Sequence, residues 1–133
     1  MGIVLRFGRF ELDLEREELR KAGVRVRIAP QPLRLLVLLA LRPQELVTRD
    51  QIRRAIWSDG TFVDFEQGIN AAIRVIRHVL NDHAAAPQFV QTIPRRGYRF
   101  VAVVEHVTEP VVVRAFPRRE ETLIEKFVAW LRR

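Results

Sequence analysis

Residues 66–101 read EQGINAAIRVIRHVLNDHAAAPQFVQTIPRRGYRFV, and this stretch decides the predicted fold. In its first half, apolar residues recur at the i, i+3, i+4 and i+7 spacing of a helix with one buried face. These residues are Ile69, Ala72, Ile73, Ile76, Val79 and Leu80. The pattern predicts an amphipathic helix over about residues 66–80, which ends at Asn81-Asp82, before Pro87.

The second half of the stretch predicts a β-hairpin. Phe89–Ile93 has the composition of a short strand, Pro94-Arg95-Arg96-Gly97 that of a tight turn, and Tyr98–Val104 that of the returning strand. A polar, cationic helix followed at once by a hairpin with two arginines at its tip is the arrangement of a winged helix. Such a helix fits a DNA major groove, while the tip can lie against the backbone or the minor groove.

The polar face of the predicted helix carries side chains that suit nucleic acid. Asparagine and glutamine can pair with adenine and arginine with guanine, whereas hydroxyl groups and arginines at the hairpin can bind phosphate. The candidate DNA-contacting residues are Gln67, Asn70, Ala71, Arg74, Arg77, Thr92, Arg95, Arg96 and Tyr98. Two alternatives stay open at this point: the helix face is simply solvated, and Tyr98 is a core ring with only its hydroxyl in water.

Composition narrows the classes of function. The 133 residues suffice for one domain with a tail, and the formal net charge of +7 favours a polyanionic partner. Cysteine is absent, which excludes disulfides, thiolate zinc sites and cysteine nucleophiles. The three histidines lack metal-ligand spacing, and no phosphate-binding or nucleophile-elbow motif occurs. The sequence therefore predicts no metal, no cofactor and no enzyme.

The residues before the helix predict a small antiparallel sheet and two further helices. The predicted strands are Ile3–Phe7, Phe10–Leu14, Glu18–Lys21 and Val24–Ile28. The first predicted helix, Leu33–Leu41, is apolar on almost every side and is too short to cross a membrane, so it belongs in the core. The second, Arg49–Trp57, begins with a capping box at Thr48 and Gln51, and Trp57 is expected to fill the core.

The C-terminal residues differ in composition from the rest. We expect one domain over residues 1–105 and a tail over 106–133, in which 107–117 is a linker or an added strand. Residues 118–133 predict an amphipathic helix. That helix either packs on its own domain or binds a second copy or another partner.

Three motifs together resemble one known family. They are Phe62-Val63-Asp64, then Ile69-Asn70-x-x-Ile73-x-x-Ile76-Arg77-x-x-Leu80, then Pro87-x-Phe89-Val90-x-Thr92-Ile93-Pro94-Arg95-Arg96-Gly97-Tyr98-Arg99-Phe100. Over about residues 3–104 the chain is similar to the OmpR/PhoB-type winged-helix DNA-binding domain. The residues of its motifs are most similar to those of the CadC/ToxR-like branch of bacterial transcriptional regulators.

The resemblance implies an α+β fold with a four-stranded N-terminal sheet, three helices and a C-terminal wing. It also implies sequence-specific binding to promoter DNA, often as tandem protomers on direct repeats, and a segment at 58–64 that can touch RNA polymerase. The expected location is the cytoplasm, with which the absence of cysteine is compatible. The given residues include neither a receiver domain before the sheet nor a transmembrane segment after it, so we expect a fragment or a stand-alone regulator. The main rival function is a winged helix that binds another protein through its tail helix.

Overall fold

The computed structural model of the protein describes residues 2–57 and 64–109. Within these ranges the chain forms an N-terminal sheet, three helices and a second sheet that contains the predicted wing. The elements in chain order are β1 (Gly2–Phe7), β2 (Phe10–Asp13), β3 (Glu18–Lys21), β4 (Val24–Val26), α1 (Pro30–Ala40), β5 (Leu46–Thr48), α2 (Arg49–Ile56), α3 (Phe65–Leu80), β6 (Val90–Ile93), β7 (Gly97–Phe100) and β8 (Glu105–Glu109).

The N-terminal sheet contains all four predicted strands and one more. Its order is β4-β3-β2-β1-β8, and neighbouring strands run antiparallel. The additional strand β8 pairs along β1, with Thr108 opposite Ile3. The sequence allowed an added strand only after residue 106. The observed strand begins at Glu105 and so crosses the boundary that we expected between domain and tail.

Helix α1 lies at the centre of the core, and α2 begins at a capping box. Helix α1 buries eight of its eleven residues, as its apolar sequence predicts, and it starts earlier than predicted, at Pro30. The capping box of α2 is confirmed. Thr48 Oγ1 accepts the Gln51 backbone N–H at 3.1 Å, and Gln51 Oε1 accepts the Thr48 backbone N–H at 2.9 Å. These reciprocal bonds fix where α2 begins, directly after β5.

Helix α3 is the amphipathic helix that the opening stretch predicts. Its buried residues are Ile69, Ala72, Ile73, Ile76 and Leu80. The Asp64 side chain caps its first turn by accepting the Gln67 N–H at 3.1 Å. Trp57 is 8% exposed, and its ring packs edge-on against Phe65 with 6.3 Å between centroids, so its predicted core role is confirmed.

The wing is a sheet of three strands, in the order β5-β7-β6, rather than the two-stranded hairpin that we expected. Strand β5 pairs with β7, with Val47 opposite Tyr98, and it was missed because its three residues carry no periodic signal. The returning strand ends at Phe100, whereas the sequence predicted that it continues to Val104. The wing is therefore anchored to the residues that lead into α2.

Two predicted segments lie outside the described residues. They are the tail helix at 118–133 and most of the loop at 58–64, of which only Asp64 is described. Among the described residues, no helix is both long enough and apolar enough to cross a bilayer.

Candidate nucleic-acid interface

One line of residues along α3 points away from the protein. We call it the outward stripe; it consists of Gln67, Ala71, Arg74 and His78, all of which are exposed. Their spacing of three or four residues places them on one side of the helix. Within residues 2–57 and 64–109, no side chain of the stripe makes a hydrogen bond or an ion pair. The stripe is therefore available to an external partner.

A second line of polar residues on α3 faces the wing. We call it the wing-facing row; it consists of Glu66, Asn70 and Arg77. The Arg77 guanidinium donates from Nη2 to Thr92 Oγ1 at 2.7 Å and to the Val90 backbone oxygen at 3.1 Å. These bonds attach the C-terminal half of α3 to β6. Arg77 and Thr92, two predicted DNA contacts, are thus partners of each other in the structure.

Arg49, the first residue of α2, connects the rest of the row to the wing. Its Nη1 donates to Glu66 Oε2 at 2.8 Å, while its Nη2 donates to Asn70 Oδ1 at 3.1 Å and to the Tyr98 hydroxyl at 3.0 Å. The guanidinium also lies over the Tyr98 ring, 5.4 Å from its centroid. Arg49 is not predictable from the local sequence, because its partners are 17 to 49 residues away.

Tyr98 sits in the core rather than on the surface. Only 3% of the residue is exposed, and its hydroxyl donates to Asn70 Oδ1 at 3.4 Å. Of the two interpretations left open for Tyr98, its position in the structure agrees with the one in which the ring lies in the core. Its hydroxyl serves the network between α2, α3 and the wing.

The tip of the wing presents two exposed arginines, Arg95 and Arg96. The Arg96 N–H donates to the Ile93 carbonyl at 3.0 Å, which closes the turn, and the Arg96 carbonyl accepts the Arg49 N–H at 3.2 Å. Arg95 has a φ of 65°, a left-handed conformation that an arginine adopts at some cost. Neither guanidinium bonds to another part of the described structure. Both charges are therefore directed to solvent.

The base of the wing is held by a buried carboxylate. Asp82, 7% exposed, accepts the backbone N–H groups of Gln88, Phe89 and Val90 at 2.7, 3.2 and 2.9 Å. These bonds tie the end of α3 to the start of β6. The wing therefore keeps a fixed position relative to α3.

An aromatic cluster reinforces the same region from the N-terminal sheet. Phe7 packs edge-on against Phe100 and Phe89, with 5.0 and 5.8 Å between centroids. Phe10 contacts Phe89 in the same way at 5.7 Å. The cluster joins β1 and β2 to β7 and to Phe89, the residue just before β6, so the N-terminal sheet packs against the base of the wing.

Acidic and basic groups lie side by side near the start of α3. A groove between α2, the start of α3 and the wing tip is lined by Asp50, Asp64 and Glu66 as well as by Arg49 and Arg95. A hydrogen bond from Arg53 lowers the pKa of Asp50, so this carboxylate stays ionised. Arg74 and the two arginines of the wing tip add positive charge that has no partner among the described residues, and this charge would attract a polyanion.

Comparison with known proteins identifies the domain. The family described as "Transcriptional regulatory protein, C terminal" matches residues 23–100, more than half of the chain. The cholera toxin transcriptional activator of Vibrio cholerae is 36% identical over 84 residues, which are 63% of this chain and 29% of that protein. The phosphate regulon regulatory protein PhoB of Rhizobium meliloti is 29% identical over 98 residues, which are 74% of this chain and 42% of that protein.

Solved structures support the same fold. The Klebsiella pneumoniae RstA DNA-binding domain, in complex with the RstA box, has a TM-score of 0.63 at 23% identity and covers 74% of this chain and 96% of that one. The DNA-binding domain of Escherichia coli CadC has a TM-score of 0.62 at 20% identity and covers 77% and 94%. The chain spans less than half the length of the curated relatives it matches.

The predicted α+β winged-helix fold is thereby confirmed. The family consists of DNA-binding regulators of transcription and not of enzymes. With the family match, the wing and the amphipathic α3 in agreement, this chain belongs to the OmpR/PhoB-type family of DNA-binding domains of transcriptional regulatory proteins.

Proposed function

We propose that α3 enters the major groove of duplex DNA with its outward stripe toward the bases, while the wing tip lies on the backbone or in the adjacent minor groove. The observation that carries this proposal is the exposed, unpaired stripe on a helix whose neighbouring wing is fixed in place. Arg95 lines the same groove as Glu66 and Ile69 of α3, so the wing tip and the helix lie close together.

Each predicted contact residue has a role that suits its surroundings. Gln67 and Arg74 read base edges, and Ala71 offers an apolar contact to a thymine methyl group. Arg95 and Arg96 neutralise phosphates. Thr92 Oγ1 accepts a bond from Arg77, which leaves the hydroxyl proton of Thr92 free to donate to a phosphate.

Arg77 and Tyr98 act less directly in this proposal. Arg77 holds β6 against α3, and its charge adds to the field at the groove. Tyr98 orients Asn70 and Arg49 through its hydroxyl. The two residues thus position neighbouring side chains, among them Thr92 and Asn70, for contact with DNA.

We also propose how the whole regulator assembles on DNA and contacts RNA polymerase. Protomers bind direct repeats in tandem, and the segment 58–64 contacts RNA polymerase, as the family resemblance implies. The protein works in the cytoplasm, where bacterial promoters are located. The family resemblance supports both contacts, and the described residues include only Asp64 of that segment.

Selection of bound sequences from a random duplex pool tests the proposal, because it measures binding, specificity and half-site spacing together. We expect one enriched sequence, repeated in the same orientation. Fluorescence anisotropy on that duplex should give a log–log salt slope of about −4 to −5 per protomer, as expected for roughly four to six phosphate contacts. If nothing is enriched and binding does not depend on salt, the proposal is wrong, and the rival protein-binding function is favoured.

A further inference from the structure

Asn70 is oriented by the protein before any DNA arrives. Its Oδ1 atom is approached by two donors, Arg49 Nη2 at 3.1 Å and the Tyr98 hydroxyl at 3.4 Å. An arginine side chain has only donors, so the Asn70 atom that it contacts is the oxygen and not the amide nitrogen. The two possible orientations of the amide are therefore distinguished by chemistry.

The same contacts decide what Asn70 offers to a partner. A carbonyl oxygen has two lone pairs, and both are used by these donors. The Nδ2 amide makes no hydrogen bond within the described part of the chain, and Asn70 is exposed on α3. What remains toward solvent is a pair of N–H donors without an accompanying acceptor.

We propose that Asn70 reads a keto base, guanine or thymine, in the major groove and does not form the bidentate pair with adenine that asparagine usually makes. Guanine presents two acceptors, O6 and N7, and thymine presents O4, whereas adenine presents N7 beside its N6 donor and cytosine presents only the N4 donor. A pair with adenine needs Oδ1 as acceptor, and that atom is occupied by Arg49 and Tyr98. The proposal rests on the major-groove function proposed above and revises the base expected for Asn70.

Arg49 and Tyr98 become specificity-positioning residues in this account, although neither touches the base. Arg49 is itself held by Glu66, whose Oε2 lies 2.8 Å from Nη1, and by stacking on the Tyr98 ring. Because these contacts constrain the guanidinium on three sides, the orientation of Asn70 is not easily reversed when DNA binds.

The test begins with the base pair that Asn70 contacts. Sequences are selected from a random duplex pool with the wild-type chain and with Asn70→Ala, and the position whose preference is lost in the variant is identified. Affinities for all four base pairs at that position are then measured by anisotropy. We expect guanine on one strand to bind about fivefold or more tighter than adenine or cytosine on that strand, with thymine between them, because guanine alone presents two acceptors to the amide.

Two variants sharpen the test. Asn70→Asp replaces the donor group with an acceptor, so the preference should invert toward cytosine and adenine on the same strand. Combining Arg49→Met with Tyr98→Phe frees Oδ1, so adenine should become as good as guanine. Arg53→Met is the matched control. It also removes a cation from α2, but Arg53 bonds to Asp50 and not to Asn70. It should leave the preference unchanged.

The inference is overturned if the wild-type chain favours adenine alone at this position, or if Asn70→Asp keeps the keto preference. Either result is compatible with DNA binding by α3 and leaves the proposed function intact. Failure of the proposed function looks different, because then no sequence is enriched by the wild-type chain at all.

Discussion

The outward stripe and the wing-facing row lie on one helix, and each contains one arginine and one side-chain amide, yet their surroundings differ. Arg74 of the stripe is exposed and makes no ion pair or hydrogen bond to the described residues, while Arg77, less than one turn away, is bonded to Val90 and Thr92. A helical wheel treats both as polar surface. The difference teaches that folding divides the polar face of α3 into one part without partners among the described residues and one part bonded to the wing and to α2.

The largest loss of stability is expected from a substitution that disturbs the pairing of β7 with β5, because the wing-facing row bonds to the wing. A Cβ at Gly97 would overlap the Val47 carbonyl oxygen and come within 2.9 Å of Thr48 Cα, so Gly97→Ala should separate β7 from β5. We expect a loss of about 3 kcal/mol or more in the free energy of unfolding, measured by urea denaturation. Gly23→Ala is the control, because an added Cβ there has nothing within 4 Å and meets only the strain of a φ of 82°. Equal losses in the two variants would contradict the proposed anchoring of the wing.

A smaller loss should follow when the base of the wing is released. Asp82→Ala leaves three buried N–H groups without their acceptor, which should lower the free energy of unfolding by about 2–4 kcal/mol. Asp50→Ala removes a carboxylate that is exposed and is the matched control, for which we expect a much smaller change in the denaturant midpoint. An Asp82 variant as stable as the Asp50 variant would show that the wing does not depend on this carboxylate.

Arg77 and Arg74 compare the two lines of residues directly. Arg77→Ala should destabilise the fold by about 1–2 kcal/mol, since Val90 and Thr92 lose a charged donor, whereas Arg74→Ala should change stability by less than about 0.5 kcal/mol. Thermal unfolding of both variants provides the measurement. The distinction between the stripe and the row is wrong if the two variants melt alike.

The smallest expected effect concerns the wing tip. Arg96→Ala removes one exposed charge that contacts phosphate in the proposed complex, so the log–log salt slope should become shallower by about one. Relative affinities for different sequences should stay the same, because phosphate contacts carry no sequence information. A change in sequence preference without a change in slope would instead assign Arg96 to base reading.

Local patterns explain which parts of this fold were predictable. The apolar periodicity of α3, the capping box at Thr48 and Gln51, and the β-hairpin signals each depend on residues a few positions apart, and the structure confirms them. Strand β5 exists because its partner β7 lies some fifty residues later in the chain. No short stretch of the sequence around β5 indicates this pairing.

The candidate DNA-contacting residues were likewise predictable only in part. The sequence identifies the polar residues of α3, but it cannot separate the outward stripe from the wing-facing row, because that division is made by Val90, Thr92 and Tyr98 after folding. Arg49 shows the limit most clearly. In the sequence it is only the first residue of a capped helix, whereas in the fold it contacts Glu66, Asn70 and Tyr98 at once.

The most direct test of duplex binding by the outward stripe is a salt series with the wild-type chain and Arg74→Ala on the selected duplex. Wild type should show a slope of about −4 to −5, and the variant should bind more weakly by about 1–3 kcal/mol and lose its preference at one base pair. Its thermal unfolding should match that of wild type. If Arg74→Ala binds the selected duplex as tightly and as selectively as wild type, α3 does not read DNA through this stripe.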